Sequence, residues 1–359
     1  FSNSMDPREA PFHPVSFPSA RMNVEELDDG TLIVEPKEKL EAYTPNLPLV
    51  LSQQAAQRPQ QPYLLERGED GEWVAATYDD MFRQSSAVAS WLLEQPYERE
   101  RPLLILSGNS ILHAVMKYGA MIAHVPVCPV SVNYALMGGD YGRLNHVIAM
   151  LRPAVVFAEQ TSAFKDALDA VDFGDATIVT KDPSLLDRPA IAVDDVLQSS
   201  PPRNIEEQIA SVDPDAPSVY MLTSGSTSLP KAVIQTQRMI TANLAQGLQT
   251  LGRAAGWDDV MLDWLPWNHV SGAFTKMGVM ISGGRLYIDG GKPMPGAFDM
   301  TIRNLKDVPV RFFTNVPAGY AMLADALDDD PELCRAFFGK LRLALYGGAG
   351  LPQALYDRL

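Results

Sequence analysis

The chain has 359 residues, enough for about two domains of ~150 residues each. With 46% hydrophobic and 20% charged residues it can bury a core, and wholesale disorder is excluded. Its net charge of −15 argues against a nucleic-acid or anionic-membrane surface.

Residues 1–4, Phe1-Ser2-Asn3-Ser4 ahead of Met5, read as an appended scar. Residues 5–48 are rich in proline and charge and read as an extension lying on the body, with a strand pair turning near Gly30. A helical pattern covers 49–57. Apolar runs at 63–66 and 72–75 flank Gly68-Glu69-Asp70-Gly71 and predict a hairpin. Thr77, with Asp80 three residues on, is placed to cap a helix whose apolar positions (Met81, Phe82, Ala87, Val88, Trp91, Leu92) fall at helical spacing.

Beyond Pro102 strands alternate with helices. Strands are expected at 103–106, 125–130, 154–158 and 176–180, and helices at 109–123, 141–151 and 163–170. Strands that are apolar throughout imply a parallel sheet covered on both faces, hence an α/β fold. The stretch 182–215, rich in Pro, Asp and Ser, reads as a surface connector with a short strand at 190–193. We place a first α/β subdomain at 49–215 and a second at 216–359. In the second, strands are expected at 219–222, 260–265, 284–288, 310–313 and 341–346. Helices are expected at 238–251, 270–281, 300–305 and 318–326, and a last helix starts at Pro352. That helix stops without a cap, so the chain reads as cut.

The stretch most charged with chemistry is Thr223-Ser224-Gly225-Ser226-Thr227-Ser228-Leu229-Pro230-Lys231. It follows the apolar run 219–222 and precedes Ala232-Val233-Ile234, which reads as buried. Hydroxyls and glycine cannot build core, but they can set backbone N–H groups and hydroxyls around a polyanion, with Lys231 as its counter-charge. The Walker pattern fails because Pro230 precedes the lysine and Ala232 follows it. The dinucleotide fingerprint fails because only Gly225 is present. A polar surface loop is the plain alternative.

Other sites are poorly supported. The apolar stretch 113–130 is broken by Lys117, His124 and prolines, so it is no membrane span. No signal-peptide pattern is visible. Cys128 and Cys334 lie far apart, which leaves a reducing, cytoplasmic setting as the default. The five histidines lack ligand spacing, so no metal-ligating cluster is expected. Trp267 reads as core.

Together, residues 223–231, 264–272 and 345–352 make the chain resemble the adenylate-forming superfamily of acyl-CoA synthetases, along nearly its whole length. Leu106-Ser107-Gly108-Asn109-Ser110, Trp264-Leu265-Pro266-Trp267-Asn268-His269, Gln235-Thr236-Gln237-Arg238-Met239 and Leu345-Tyr346-Gly347-Gly348-Ala349-Gly350-Leu351-Pro352 are most similar to bacterial feruloyl-CoA synthetases. The resemblance implies the large N-terminal domain of that fold, and a two-step ligase using ATP, Mg2+ and CoA. A carboxylate, such as ferulate or another aryl acid, attacks the α-phosphate to give acyl-AMP, and the CoA thiol then displaces AMP.

By resemblance, Thr223, Ser224, Gly225, Ser226, Thr227 and Lys231 grip the phosphates, with Lys231 counted as catalytic. Gly347, Gly348 and Ala349 lie along adenine, and His269 shapes the acyl pocket as a catalytic or substrate-binding group. Asn315 and Val316, at a strand end, are candidate pocket wall or a simple turn. Ser228 stands where the family has glycine. If that position needs positive φ, serine costs about 1 kcal/mol. No counterpart is found of the family's Thr-Glu motif, its ribose-binding Asp or its C-terminal domain, so this chain alone is expected to be incompetent for the full reaction. Two alternatives stay open: a ligase for a fatty or other aryl acid, and a non-catalytic nucleotide-binding module.

Overall fold

The computed structural model describes residues 11–223 and 228–359. In chain order the strands are β1 (Met22–Glu26), β2 (Leu32–Pro36), β3 (Pro62–Arg67), β4 (Trp73–Thr77), β5 (Leu103–Leu106), β6 (Val127–Pro129), β7 (Val155–Ala158), β8 (Thr177–Thr180), β9 (Ile191–Ala192), β10 (Pro217–Thr223), β11 (Lys231–Thr236), β12 (Val260–Asp263), β13 (Arg285–Ile288), β14 (Phe312–Asn315) and β15 (Leu343–Tyr346).

A seven-stranded sheet has the order β11-β10-β6-β5-β7-β8-β9. It is parallel apart from the β10–β11 pair. Its centre, β5 and β7, is buried at every residue, as a sheet covered on both faces requires. A second sheet, β12-β13-β3-β4, is parallel except for the β3–β4 hairpin. The parallel pair β14–β15 sets Asn315 opposite Tyr346. The parallel-rich α/β architecture expected from the alternating apolar strands is therefore present.

Helices fill the space beside these sheets. Ser110 caps the helix Ile111–Ile122, whose residues are nearly all buried. The capping box on Tyr78–Leu93 forms as read: the Thr77 hydroxyl accepts from Asp80 N, and Asp80 accepts from Thr77 N. Tyr63 on β3 pairs its hydroxyl with that of Tyr118 at 2.8 Å, tying β3 to the helix Ile111–Ile122.

Sheet membership does not follow chain order: β10 and β11 complete the first sheet, while β3 and β4 join β12 and β13. Alternation along the chain shows strands and helices but not which sheet a strand enters. Two expectations are corrected. Ala232-Val233-Ile234 is not buried, since β11 is an edge strand and Val233 and Ile234 are about half exposed. The connector 182–215 is more regular than its composition suggested, with helices at Val193–Leu197 and Ile205–Ala210.

Candidate active site

The carboxyl ends of four strands are linked by hydrogen bonds, which is where open parallel sheets form ligand crevices. Asn109, just past β5, donates from Nδ2 to Leu265 O at 2.9 Å and accepts from Trp267 N at 2.9 Å, so it clamps the segment leaving β12. Trp264 Nε1 in turn donates to Asn315 Oδ1, at the end of β14, at 3.0 Å. Gly347 N, past β15, donates to Asn315 O at 3.3 Å.

Asn315 is the hub of this crevice. It is buried, and its Oδ1 accepts from both Trp264 Nε1 and Val316 N. Two donors on one atom fix the amide's orientation, which is otherwise ambiguous. Its Nδ2 then has no partner. A buried donor left unpaired costs about 1–3 kcal/mol, so Nδ2 retains an unused capacity to donate. The helix Pro317–Asp329 starts directly after Val316. A Cβ at Gly319 would fall 2.2 Å from Asn315 Oδ1, so only glycine lets the asparagine sit there.

Opposite, Gly348 takes φ +87°, a left-handed conformation that favours glycine. Added Cβ atoms at Gly347 and Gly350 would meet nothing within 4 Å. Gly347, Gly348 and Ala349 are exposed; Gly347 bonds Asn315, and a Cβ on Gly348 would lie 3.7 Å from Val316 Cγ1. This leaves backbone open for a flat ring to approach.

His269 caps the helix Val270–Ser282. Its Nδ1 lies 2.8 Å from Ser271 Oγ and accepts from Ser271 N. The ring proton is thereby assigned to Nε2, leaving an exposed donor two residues past the Trp267 that Asn109 holds.

At the end of β10, Thr223 faces Lys231 across the β10–β11 pair. Its hydroxyl accepts from Lys231 N and donates to Lys231 O, both at 3.3 Å. His146 bonds Pro230 O at 2.9 Å and holds the return of the loop against the helix Gly142–Leu151. Lys231 is exposed. Ser224, Gly225, Ser226 and Thr227 lie outside the described residues.

Asn109 had no role in the sequence reading, although its stretch was singled out. Nothing local marks it, because its partners are more than 150 residues away. It is aimed by its neighbours: Ser107 and Ser110 both donate to the buried Glu159, which Lys181 also meets at 3.2 Å. Asp263, the last residue of β12, was missed too. Burial and then the nearby Asp289 charge push its carboxyl up to about 7, opposed by hydrogen bonds from Leu265 N and Trp264 N, and its Oδ2 has no partner.

Among the described residues no group of three or more His, Cys, Asp or Glu side chains is placed to hold a metal ion. A protein-built Mg2+ site does not follow from them. Nor is any helix long and apolar enough to cross a membrane. A cavity of about 490 Å3 between the helices Leu47–Gln57 and Gln237–Leu251 contains none of the crevice residues.

Residues 51–359 match the family described as AMP-binding enzyme, and the chain belongs to that family. A relative from Mycobacterium leprae, named as fatty-acid–CoA ligase fadD21, is 31% identical over 215 residues, covering 58% of this chain and 34% of the relative. The sulfoacetate–CoA ligase of Cupriavidus necator is 25% identical over 242 residues, covering 66% of this chain and 44% of the relative. The chain thus spans less than half the length of both. The complex of VinN with L-aspartate superposes with a TM-score of 0.67 at 21% identity, over 89% of this chain and 73% of that one. The N-terminal domain of FACL13 from Mycobacterium tuberculosis gives 0.60 at 20% identity, over 87% of this chain and 72% of that one. At these identities the structures show a shared fold.

Proposed function

We propose that the protein carrying this chain joins a carboxylic acid, of aromatic type, to a thiol in two steps at the expense of ATP. A carboxylate oxygen attacks the α-phosphorus and pyrophosphate leaves. The sulfur of CoA then attacks the acyl carbon, its proton is lost, and AMP leaves. Family membership supports the adenylation step, and both relatives are named as CoA ligases.

The observation that carries the reading is the unpaired Asn315 Nδ2 at a crevice where the ends of β5, β12, β14 and β15 are tied together. A buried donor there is matched to an oxygen or ring nitrogen of a ligand. In this reading Thr223 and Lys231, with Ser224, Gly225, Ser226 and Thr227, neutralise the phosphates so that two anions can meet. Gly347, Gly348 and Ala349 lie along the base. His269 and Val316 bound the acid. ATP carries its own Mg2+ into this site, and no step is assigned to the ion.

The aromatic preference rests on the resemblance of residues 264–269 and 345–352 to feruloyl-CoA synthetases. The relatives named for fatty acids and sulfoacetate favour a different acid, so the acid is the point to test. The test is ATP–pyrophosphate exchange with ferulate, coumarate, benzoate, a medium-chain fatty acid and sulfoacetate. Exchange greatest with the hydroxycinnamates supports the reading. Exchange greatest with the fatty acid or sulfoacetate replaces the aromatic class. ATP binding without exchange for any acid points to the binding module.

A further inference from the structure

Two lysines lie behind the crevice, and the chemistry above uses neither. Lys117, on the helix Ile111–Ile122, and Lys276, on the helix Val270–Ser282, are both fully buried. Neither Nζ has a hydrogen-bond partner apart from the other amine. No carboxylate offsets them: besides burial, the group acting on each amine is the other lysine.

Aromatic and imidazole rings complete the surroundings. The Lys276 amine stands over the Trp267 ring, 4.2 Å from its centroid, and 5.5 Å from the centre of Tyr118. His113 meets Trp267 edge-on with centroids 5.2 Å apart, and its Nε2 is also unpartnered. Burial, then the charges of Lys276 and Lys117, keeps His113 well below its ordinary range, so it is a neutral imidazole.

Buried ammonium groups are ordinarily paired, because an unpaired charge in a dry interior is strongly unfavourable. Here three basic groups converge with nothing acidic between them. Trp267 connects them to the crevice, since its backbone is held by Asn109 and it lies two residues before His269. Lys276 sits seven residues below His269, or about 10 Å down the helix. That depth corresponds to the far end of an acid whose carboxylate lies near the mouth.

We propose that Lys117 and Lys276 form a subsite for a second anionic group, a carboxylate or sulfonate, at the distal end of the acid. This deepens the acid-activating reading and rests on it. Trp267 covers Lys276 and turns aside to admit that group. An anion bridging the two amines lets both carry their charge, whereas without it burial and then the Lys117 charge oppose the charged form of Lys276. The competing account has no ligand: the amines share one proton and serve packing alone.

Calorimetric binding of cinnamate and 4-carboxycinnamate separates the two, using the wild type, Lys117→Met and Lys276→Met. Methionine keeps the apolar stem and removes a buried charge, so both variants are expected to fold. The wild type should bind 4-carboxycinnamate at least tenfold more tightly than cinnamate. Each variant should lose that advantage while keeping its affinity for cinnamate. Equal binding of the two acids by the wild type overturns the subsite, as do an advantage that survives in both variants and no binding of either acid.

Exchange of pyrophosphate into ATP, measured alongside, reports the parent reading separately. Equal exchange with both acids keeps the ligase and removes the subsite. Lysine-dependent selection of the dicarboxylate without exchange keeps the subsite and removes the ligase.

Discussion

Replacing Lys117 by methionine should make the protein more stable, against the usual direction for a fully buried side chain. Burial pulls the Lys117 ammonium from its usual 10.5 to about 8, which corresponds to roughly 3 kcal/mol of destabilisation in neutral solution. The unfolded chain keeps that proton up to about pH 10.5, whereas the folded protein gives it up above about 8. Between these values the unfolded state binds more protons, so stability rises with pH. Lys117 alone should add about 2 kcal/mol between pH 7.5 and 9.5. Lys276, also held well below its usual value by burial and by Lys117, acts in the same direction. The window closes below pH 10, because buried Tyr63, Tyr78 and Tyr118 resist ionisation and their effect opposes the trend. Urea denaturation at the two pH values is the assay. Lys117→Met should exceed the wild type by about 3 kcal/mol at pH 7.5 and by only about 1 kcal/mol at pH 9.5. A variant no more stable than the wild type at pH 7.5, or a gap indifferent to pH, would show that Lys117 is paired or hydrated and refute the reasoning.

Other substitutions probe the crevice. Asn109→Ala strands Leu265 O and Trp267 N, and should cost about 2–4 kcal/mol in urea denaturation while weakening acid binding more than ATP binding. Equal loss for both ligands would remove the clamp from the acid site. Gly319→Ala drives a methyl into Asn315 and should cost about 1–3 kcal/mol, with loss of acid-dependent exchange. An alanine protein of unchanged stability and exchange would mean that Asn315 need not sit where it does. Lys231→Ala, at an exposed position, should leave stability within about 0.5 kcal/mol and weaken ATP binding more than tenfold. Unchanged ATP affinity by equilibrium dialysis would dismiss Lys231 as a phosphate ligand.

Local features were the legible part of the fold. The Thr77–Asp80 capping box, the hairpin around residues 68–71 and the buried strand 103–106 each carry their signal within a few residues, and each forms. Sheet membership was not legible, because β3 pairs with β13 across more than 200 residues and no periodicity records a partner. The exposure of Val233 and Ile234 was misread for the same reason: an apolar edge strand has the same local pattern as a central one.

The site divides along the same line. Gly347 and Gly348 stand out by resemblance and Asn315 by its place at a strand end, and Gly347 N bonds Asn315 O. Asn109 and Asp263 did not stand out, because their importance comes from distant partners and from burial. Lys117 and Lys276 were hidden more completely. Each is one charge on an apolar helix, which reads as a solvated lysine until two helices bring both inside.

The central claim is that the Asn315 crevice and the Thr223–Lys231 loop serve one adenylation reaction. The most direct measurement is acid-dependent exchange of labelled pyrophosphate into ATP by the protein carrying this chain, compared among the wild type, Lys231→Ala and Asn315→Leu. The account predicts exchange that requires an acid and falls at least tenfold in both variants. Exchange that persists in both, or ATP turnover indifferent to any acid, would contradict it.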